Sequence, residues 1–153
     1  MGNNKKGLHH ETYNTPPKSG RILECDFGEW VTQPNFDGHL PPEMCKKRMV
    51  IVLNGNLNGL CQVVPISSTK TIGMEAKYHV ELDTSFFPIT DFYDKRQRWA
   101  KAELIQPVSK QRLFHILDDN KQKIQKYLPF EVVEQIQFAA IDALNASRLL
   151  AKK

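Results

Sequence analysis

The run Met49-Val50-Ile51-Val52-Leu53 constrains this chain more than any other segment. It is apolar in both phases of a period-two pattern and rich in β-branched side chains, which suit a pleated strand better than a helix. A central strand covered on both faces is therefore expected. The turn residues Asn54-Gly55-Asn56 and Asn58-Gly59 end it, and Leu60 to Ile66 returns as its antiparallel partner. At 153 residues, 41% hydrophobic and 25% charged, the chain is long enough to bury that hairpin in one core, so a single domain is expected.

Other segments build around this pair. From Arg21, Ile22, Glu24 and Asp26 point one way and Leu23, Cys25 and Phe27 the other, as in a half-buried strand. Residues 28–46 form a loop carrying Trp30, Phe36, His39 and Pro41-Pro42. Compact domains seldom keep loops beyond about 12 to 15 residues without a functional reason, so this one is a candidate for ligand contact. Further strands are expected over Lys77 to Leu82 and Gln97 to Ile105. Arg112 to Leu117 and Lys123 to Leu128 suit a hairpin turning at Asp118-Asp119-Asn120, with a charged helix over the second arm as the alternative.

After Pro129 the period changes: Val133, Ile136, Ala140 and Leu144 recur at helical spacing. A helix over about 130–150 is expected, with Pro129 in its first turn and Lys152-Lys153 at the negative end of its dipole. Residues 1–18 show almost no apolar periodicity and read as an extended or disordered tail, in which His9-His10 are simply polar. The fold class is mainly β with a C-terminal helix, as one domain over 19–153.

Composition narrows the function. Nothing approaches the roughly 18 apolar residues of a membrane span, and the start lacks the apolar stretch of a secretory signal, so a cytoplasmic protein is expected. The three cysteines are odd in number and widely spaced, which argues for reduced thiols, with Cys25 and Cys61 as small core residues. A net charge of +4 favours an anionic partner only weakly. Lys46-Lys47-Arg48 and Lys95-Arg96-Gln97-Arg98 with Lys101 are either two solvated loops or, if the fold joins them, a cationic groove. The chain has no Walker loop, Gly-x-Gly-x-x-Gly, Cys-x-x-Cys, His-Glu-x-x-His or Gly-x-Ser-x-Gly, so neither a cofactor nor a metal is expected.

The remaining chemistry lies at strand ends. Arg48 opens the central strand in phase with Val50 and Val52, beside the mouth of the long loop. Ser67, Ser68 and Thr69 end its partner, which in a hairpin returns toward Arg48. In the later strand, Trp99, Lys101 and Glu103 alternate with Ala100, Ala102 and Leu104. An aromatic plate, a cation and a carboxylate on one face suit single-stranded RNA, although a plain surface strand explains the same pattern.

Arg21-Ile22-Leu23-Glu24-Cys25-Asp26-Phe27, then Pro42 to Leu53 around Arg48, then Gly59 to Thr69 with Val64-Pro65-Ile66-Ser67-Ser68-Thr69, resemble the ordered signature of the PemK/MazF toxins. Trp99 to Glu103 and the terminal helix fit as well, closest to the YifN-like branch. The resemblance covers about residue 19 to the end. It implies an SH3-like small β-barrel with a C-terminal helix, a homodimer, a cognate antitoxin, and metal-independent cleavage of single-stranded RNA. Family toxins activate the ribose 2′-hydroxyl to attack the adjacent phosphorus, leaving a cyclic phosphate and a 5′-hydroxyl.

Carried over by residue, Arg48 matches the catalytic arginine, Ser67 the catalytic threonine, and Glu43 the acidic residue five positions before the arginine. Lys101 and Glu103 fall where some members have a catalytic Arg-x-Asp. Glu43 reads as either a proton acceptor or an RNA contact, and Lys46, Lys47, Ser68, Thr69, Arg98 and Trp99 are expected RNA contacts. Four departures stand out: Met49 replaces a proline, Ser67 a threonine, Glu103 an aspartate, and Lys101 an arginine with its planar fork. Retention of Arg48 and Ser67 favours an endoribonuclease. Met49 and Lys101 leave room for a non-catalytic RNA-binding protein or a CcdB-like protein poison on the same barrel.

Overall fold

The computed structural model describes residues 15–30 and 38–152. The expected loop contact Phe36 and the pair His9-His10 lie outside the described residues. Strand β1 is Ile22–Asp26, β2 Lys47–Leu57, β3 Leu60–Ser67, β4 His79–Leu82, β5 Arg98–Lys101 and β6 Gln106–Ser109. The short strands β7, β8 and β9 are Leu113–Phe114, Ile116–Leu117 and Lys123–Ile124, and helix α1 is Phe130–Ala143. The main sheet runs β4-β5-β3-β2-β1-β7, with β6 sharing β3's outer edge with β5. The mainly β fold with one C-terminal helix is therefore as expected, while the strand order leaves β4 and β7 as ends, without pairing that closes a barrel among the described residues.

The apolar run of β2 is explained by two cores on opposite faces of the sheet. Val50 and Val52 pack with Leu23, Cys25, Phe27, Cys61, Val63, Val108 and Leu113. Met49 and Ile51 pack with Ile22, Val64, Ile66, Leu82, Ala100 and, from α1, Val133 and Ile136. Burying such a side chain contributes about 1.5–3 kcal/mol, so β2 carries stabilisation on both faces. All three cysteines are buried and unpaired, and desolvation pushes the Cys25 thiol up to about 12.

Several local expectations are corrected. β2 does not stop at Leu53. It runs to Leu57 with irregular register around Asn54, and the turn falls at Asn58-Gly59, where both residues take the positive φ that a two-residue hairpin requires (49° and 87°). The strand expected over 97–105 breaks after Lys101 into a 3₁₀ turn at Ala102–Leu104, and that expected over 77–82 begins at His79 after another such turn. The 112–128 hairpin shrinks to β8 and β9, while β7 pairs with β1.

The helix ends earlier than 150, because Asn145 adopts a left-handed φ of 56°. Asn145 N–H then donates to Asp142 O and Ala146 N–H to Ile141 O, which together close the helix C-terminus. Lys152 thus lies in a 3₁₀ segment beyond the helix rather than at its dipole end. Residues 15–18 of the expected tail lie within the described residues. Pro17 is buried, and its carbonyl oxygen would lie 2.0 Å from a Cβ at Gly55, so glycine there admits the incoming chain.

Candidate functional site

Sheet register decides which polar residues share a face. β1 sets Cys25 beside Arg48, β5 sets Trp99 beside Ser67, and β4 sets Glu81 beside Trp99. The β2–β3 register, carried two residues past Val50↔Pro65, places Arg48 opposite Ser67. Arg48, Ser67, Trp99 and Glu81 therefore form one row across four strands. Lys101 and His79 are partners on the same face, one pleat further along β5 and β4. α1 packs against the other face, where its Val133 and Ile136 meet Leu82 and Ala100.

Each side chain in the first half of this row is anchored without being neutralised. Arg48 Nε donates to Cys45 O at 3.2 Å, and its guanidinium makes no ion pair among the described residues. Ser67 Oγ accepts from the Thr69 amide at 3.1 Å, which fixes the oxygen and leaves its proton to be donated.

Arg48 and Ser67 border a cleft of about 200 Å³ whose other walls include Lys47, Ser68, Phe92, Tyr93, Asp94, Arg96 and Arg98. The two cationic clusters, far apart in sequence, thus meet at one cleft. Their charges are not equally available. Arg96 Nε bonds both Asp94 carboxylate oxygens, at 2.9 and 2.8 Å, and holds that carboxyl below the usual range. Arg98, expected as an RNA contact, is buried. It donates to Asp94 O and Arg96 O and lies over the Phe87 ring, so it braces the loop from behind. Lys47 and Arg48 are the cleft cations without such a carboxylate among the described residues.

A second cleft of about 140 Å³ is lined by Lys70, Thr71, Ala76, His79, Glu81 and Trp99. Lys101 Nζ donates to Thr71 Oγ1 at 3.3 Å. The 3₁₀ turn after β5 swings Glu103 out of the strand, so the expected Trp99-Lys101-Glu103 stripe does not form. Glu103 Oε1 instead meets His79 Nε2 at 2.6 Å, while its Oε2 is buried without a hydrogen-bond partner among the described residues. Neither Lys101 nor Glu103 lines the Arg48 cleft.

The remaining expected contacts are dispersed. Glu43 accepts from the Leu40 amide at 2.7 Å and its carbonyl accepts from Trp30 Nε1, so it organises the loop and lines neither cleft. Lys46, at φ 66°, and Thr69 are exposed beside the Arg48 cleft lining without forming part of it. Sequence reasoning missed His79, Phe92 and Tyr93. Tyr93 donates its hydroxyl proton to Glu24, and burial with that bond raises its pKa. Phe92 stands 81% exposed at the cleft. An adjacent aromatic pair before Asp94 was the available signal, but nothing in a pattern of residues placed that loop against β2.

Comparison with known proteins bears on the family and the fold. The chain is 54% identical over 137 residues to an uncharacterized protein of Haemophilus influenzae, covering 89% of this chain and 95% of that one. It is 40% identical over 146 residues to the YifN protein of Escherichia coli K12, covering 90% and 97%. Among solved structures, an endoribonuclease from mycobacterial species superposes with a TM-score of 0.50 at 13% identity, over 87% of this chain and 95% of that one, and shares the fold. The Mycobacterium tuberculosis toxin MazF-mt6 gives 0.47 at 16% identity, over 67% and 91%. The sequence model of the PemK-like, MazF-like toxins of type II toxin-antitoxin systems matches residues 18–144, and the chain belongs to that family.

Proposed function

We propose that this protein is a sequence-selective endoribonuclease toxin that cleaves single-stranded RNA without a metal ion. The observation that carries the proposal is the Arg48–Ser67 pair, one fixed cation and one fixed hydroxyl, on a cleft shared by both cationic clusters. When the ribose 2′-oxygen attacks phosphorus and the bond to the 5′-oxygen breaks, negative charge builds on the phosphorane oxygens. Arg48 and Ser67 stabilise that charge as preorganised donors. Arg48 does not readily deprotonate, so it acts as an electrostatic clamp first and as proton donor to the leaving 5′-oxygen second.

The row from Arg48 to Glu81 crosses three strand spacings, about 14 Å at about 4.8 Å each. That length suits a short extended stretch of RNA better than one phosphate. On this reading Trp99 stacks a neighbouring base, Lys101 supplies a second cation, Glu103 orients His79 beside Lys101, and Glu43, the exposed carboxylate on the loop leading into Arg48, takes the 2′-hydroxyl proton. The products are a 2′,3′-cyclic phosphate and a 5′-hydroxyl. A cognate antitoxin covers the Lys47–Arg48 cleft with an acidic segment, and the toxin acts in the cytoplasm as a homodimer.

One observation favours a second reading, RNA binding without cleavage. Lys101 and Glu103 are already bonded within the protein and stand apart from the Arg48 cleft. Purified protein incubated with single-stranded RNA in excess EDTA separates the two. The nuclease reading expects fragments ending in cyclic phosphate that Arg48→Ala does not produce. RNA bound but intact would establish the second reading, and equal cleavage by Arg48→Ala would remove Arg48 from the mechanism.

A further inference from the structure

Two charged residues of the described chain are buried, and they are treated differently. Arg98 has the Asp94 carboxylate at 3.6 Å. Arg21 is 4% exposed and has no carboxylate within ion-pair distance among the described residues. Its guanidinium cannot neutralise itself by losing a proton, and an uncompensated buried charge is costly. Partial compensation comes from neutral groups. Arg21 Nη1 donates to Tyr127 Oη at 3.0 Å, Nη2 donates to His115 Nδ1 at 3.2 Å, and the guanidinium lies 5.1 Å from the Tyr127 ring centroid. Arg21 Nε has no hydrogen-bond partner among the described residues.

Arg21 borders a cavity of about 210 Å³ whose other walls are Thr15, Pro16, Pro17, Lys18, His115, Gln125 and Tyr127. No carboxylate is among them. The lining provides two positive charges, the buried Arg21 and the exposed Lys18, and several donors. Because Tyr127 Oη accepts from Arg21, its own proton is left to donate. Because a guanidinium is donor only, His115 must accept through Nδ1 as a neutral ring. Burial, and next Arg21 itself, lower the His115 pKa in the direction that keeps it neutral. The volume corresponds to roughly seven waters at about 30 Å³ each, enough for a tetrahedral oxyanion and a small part of whatever bears it.

We infer that the Arg21 cavity is a binding site for a phosphate group, separate from the Arg48 cleft. Arg21 and Tyr127 hold the anion at the floor, and Lys18, on the segment entering β1, closes over it. Occupancy would supply a counter-charge that no described residue gives Arg21. Free inorganic phosphate and the 5′-phosphate of a nucleotide carry the same chemistry.

The test is a titration of the full chain with inorganic phosphate at constant ionic strength, followed through the ring resonances of His115 and Tyr127. A saturable shift is expected in the wild type and in Arg48→Ala, which removes only the other cleft's cation. Lys18→Ala should bind about tenfold more weakly and Arg21→Met not measurably. No saturable shift in the wild type, or undiminished affinity in Lys18→Ala and Arg21→Met, overturns the inference. Should Arg21→Met fail to fold, Lys18→Ala and Tyr127→Phe, both at exposed positions, decide the question by the same readout. A nucleoside 5′-monophosphate that competes with phosphate identifies an ester as the ligand, and one that does not leaves free phosphate.

Discussion

The two halves of the polar sheet face differ in how their charges are used. In the Arg48–Ser67 half, each group is steered by one backbone contact and keeps its capacity for an outside anion. In the Lys101–His79–Glu103 half, the cation is bonded to Thr71 and the carboxylate to a histidine whose side chain is 4% exposed. Adjacent strands of one sheet thus hold a site waiting for a charge and a site that has largely satisfied itself. Preorganised donors contribute most when nothing in the protein already occupies them.

This contrast can be broken by mutation. Its largest expected consequence is that Arg48→Ala lowers single-turnover RNA cleavage by about 10²- to 10³-fold with little change in melting temperature. A large loss of stability instead would make Arg48 a structural residue and erase the distinction. Arg48→Lys should recover only part of the loss, because a point charge lacks the planar fork.

The complementary change is His79→Ala. It leaves the Glu103 carboxylate, already lacking a partner on Oε2, without its remaining hydrogen bond. A destabilisation of about 1–3 kcal/mol is expected, read from denaturant unfolding. Unchanged stability alongside lost cleavage would show that this half is poised for chemistry after all.

Stacking sharpens the comparison further. Trp99→Ala should weaken single-stranded RNA binding by about 1–3 kcal/mol, and Phe92→Ala, at the rim of the Arg48 cleft, by a similar or smaller amount. If the Phe92 variant binds normally while the Trp99 variant does not, RNA follows the sheet face rather than the 90–96 loop.

Salt and pH give the smallest effects. Arg48→Ala should reduce the slope of log binding constant against log salt by about 0.7, the value for one lost single-strand phosphate contact. The Arg96 hydrogen bond holds the Asp94 carboxyl below its ordinary range, so Asp94 stays charged above its unfolded value. Its contribution is present there and is lost only as pH falls through the lowered folded value. RNA binding should accordingly vary little through Asp94 between about pH 5 and 8. A titration in that window abolished by Asp94→Asn would contradict the pairing.

Much of the fold was readable because its signals are local. The β-branched run of β2, the Asn58-Gly59 turn and the change of period after Pro129 each act through neighbouring residues, and all three appear in the structure. Element ends were read less well, since Asn54-Gly55-Asn56 carries the same turn chemistry as Asn58-Gly59 and only pairing with β3 separates a bulge from a turn. The site was legible as residue types, Arg48 and Ser67 above all. Its partners were not, because Glu103 leaves the strand by a turn that alternation does not encode, and His79 reaches it across 24 positions of sequence.

Sequence by itself thus determined that this chain would build a β hairpin buried on both faces, end in a helix, and carry Arg48 and Ser67 at the mouth of that hairpin. Those outcomes follow from periodicity, turn propensity and antiparallel geometry, which operate over a few residues. Tertiary structure decided which charges remain available. It paired Arg96 with Asp94, buried Arg98 behind the cleft, joined Glu103 to His79, and left Arg48 and Arg21 without carboxylates among the described residues. Availability of a charge depends on desolvation and on distance to an opposite charge, and both are set by segments that meet only once the sheet has formed.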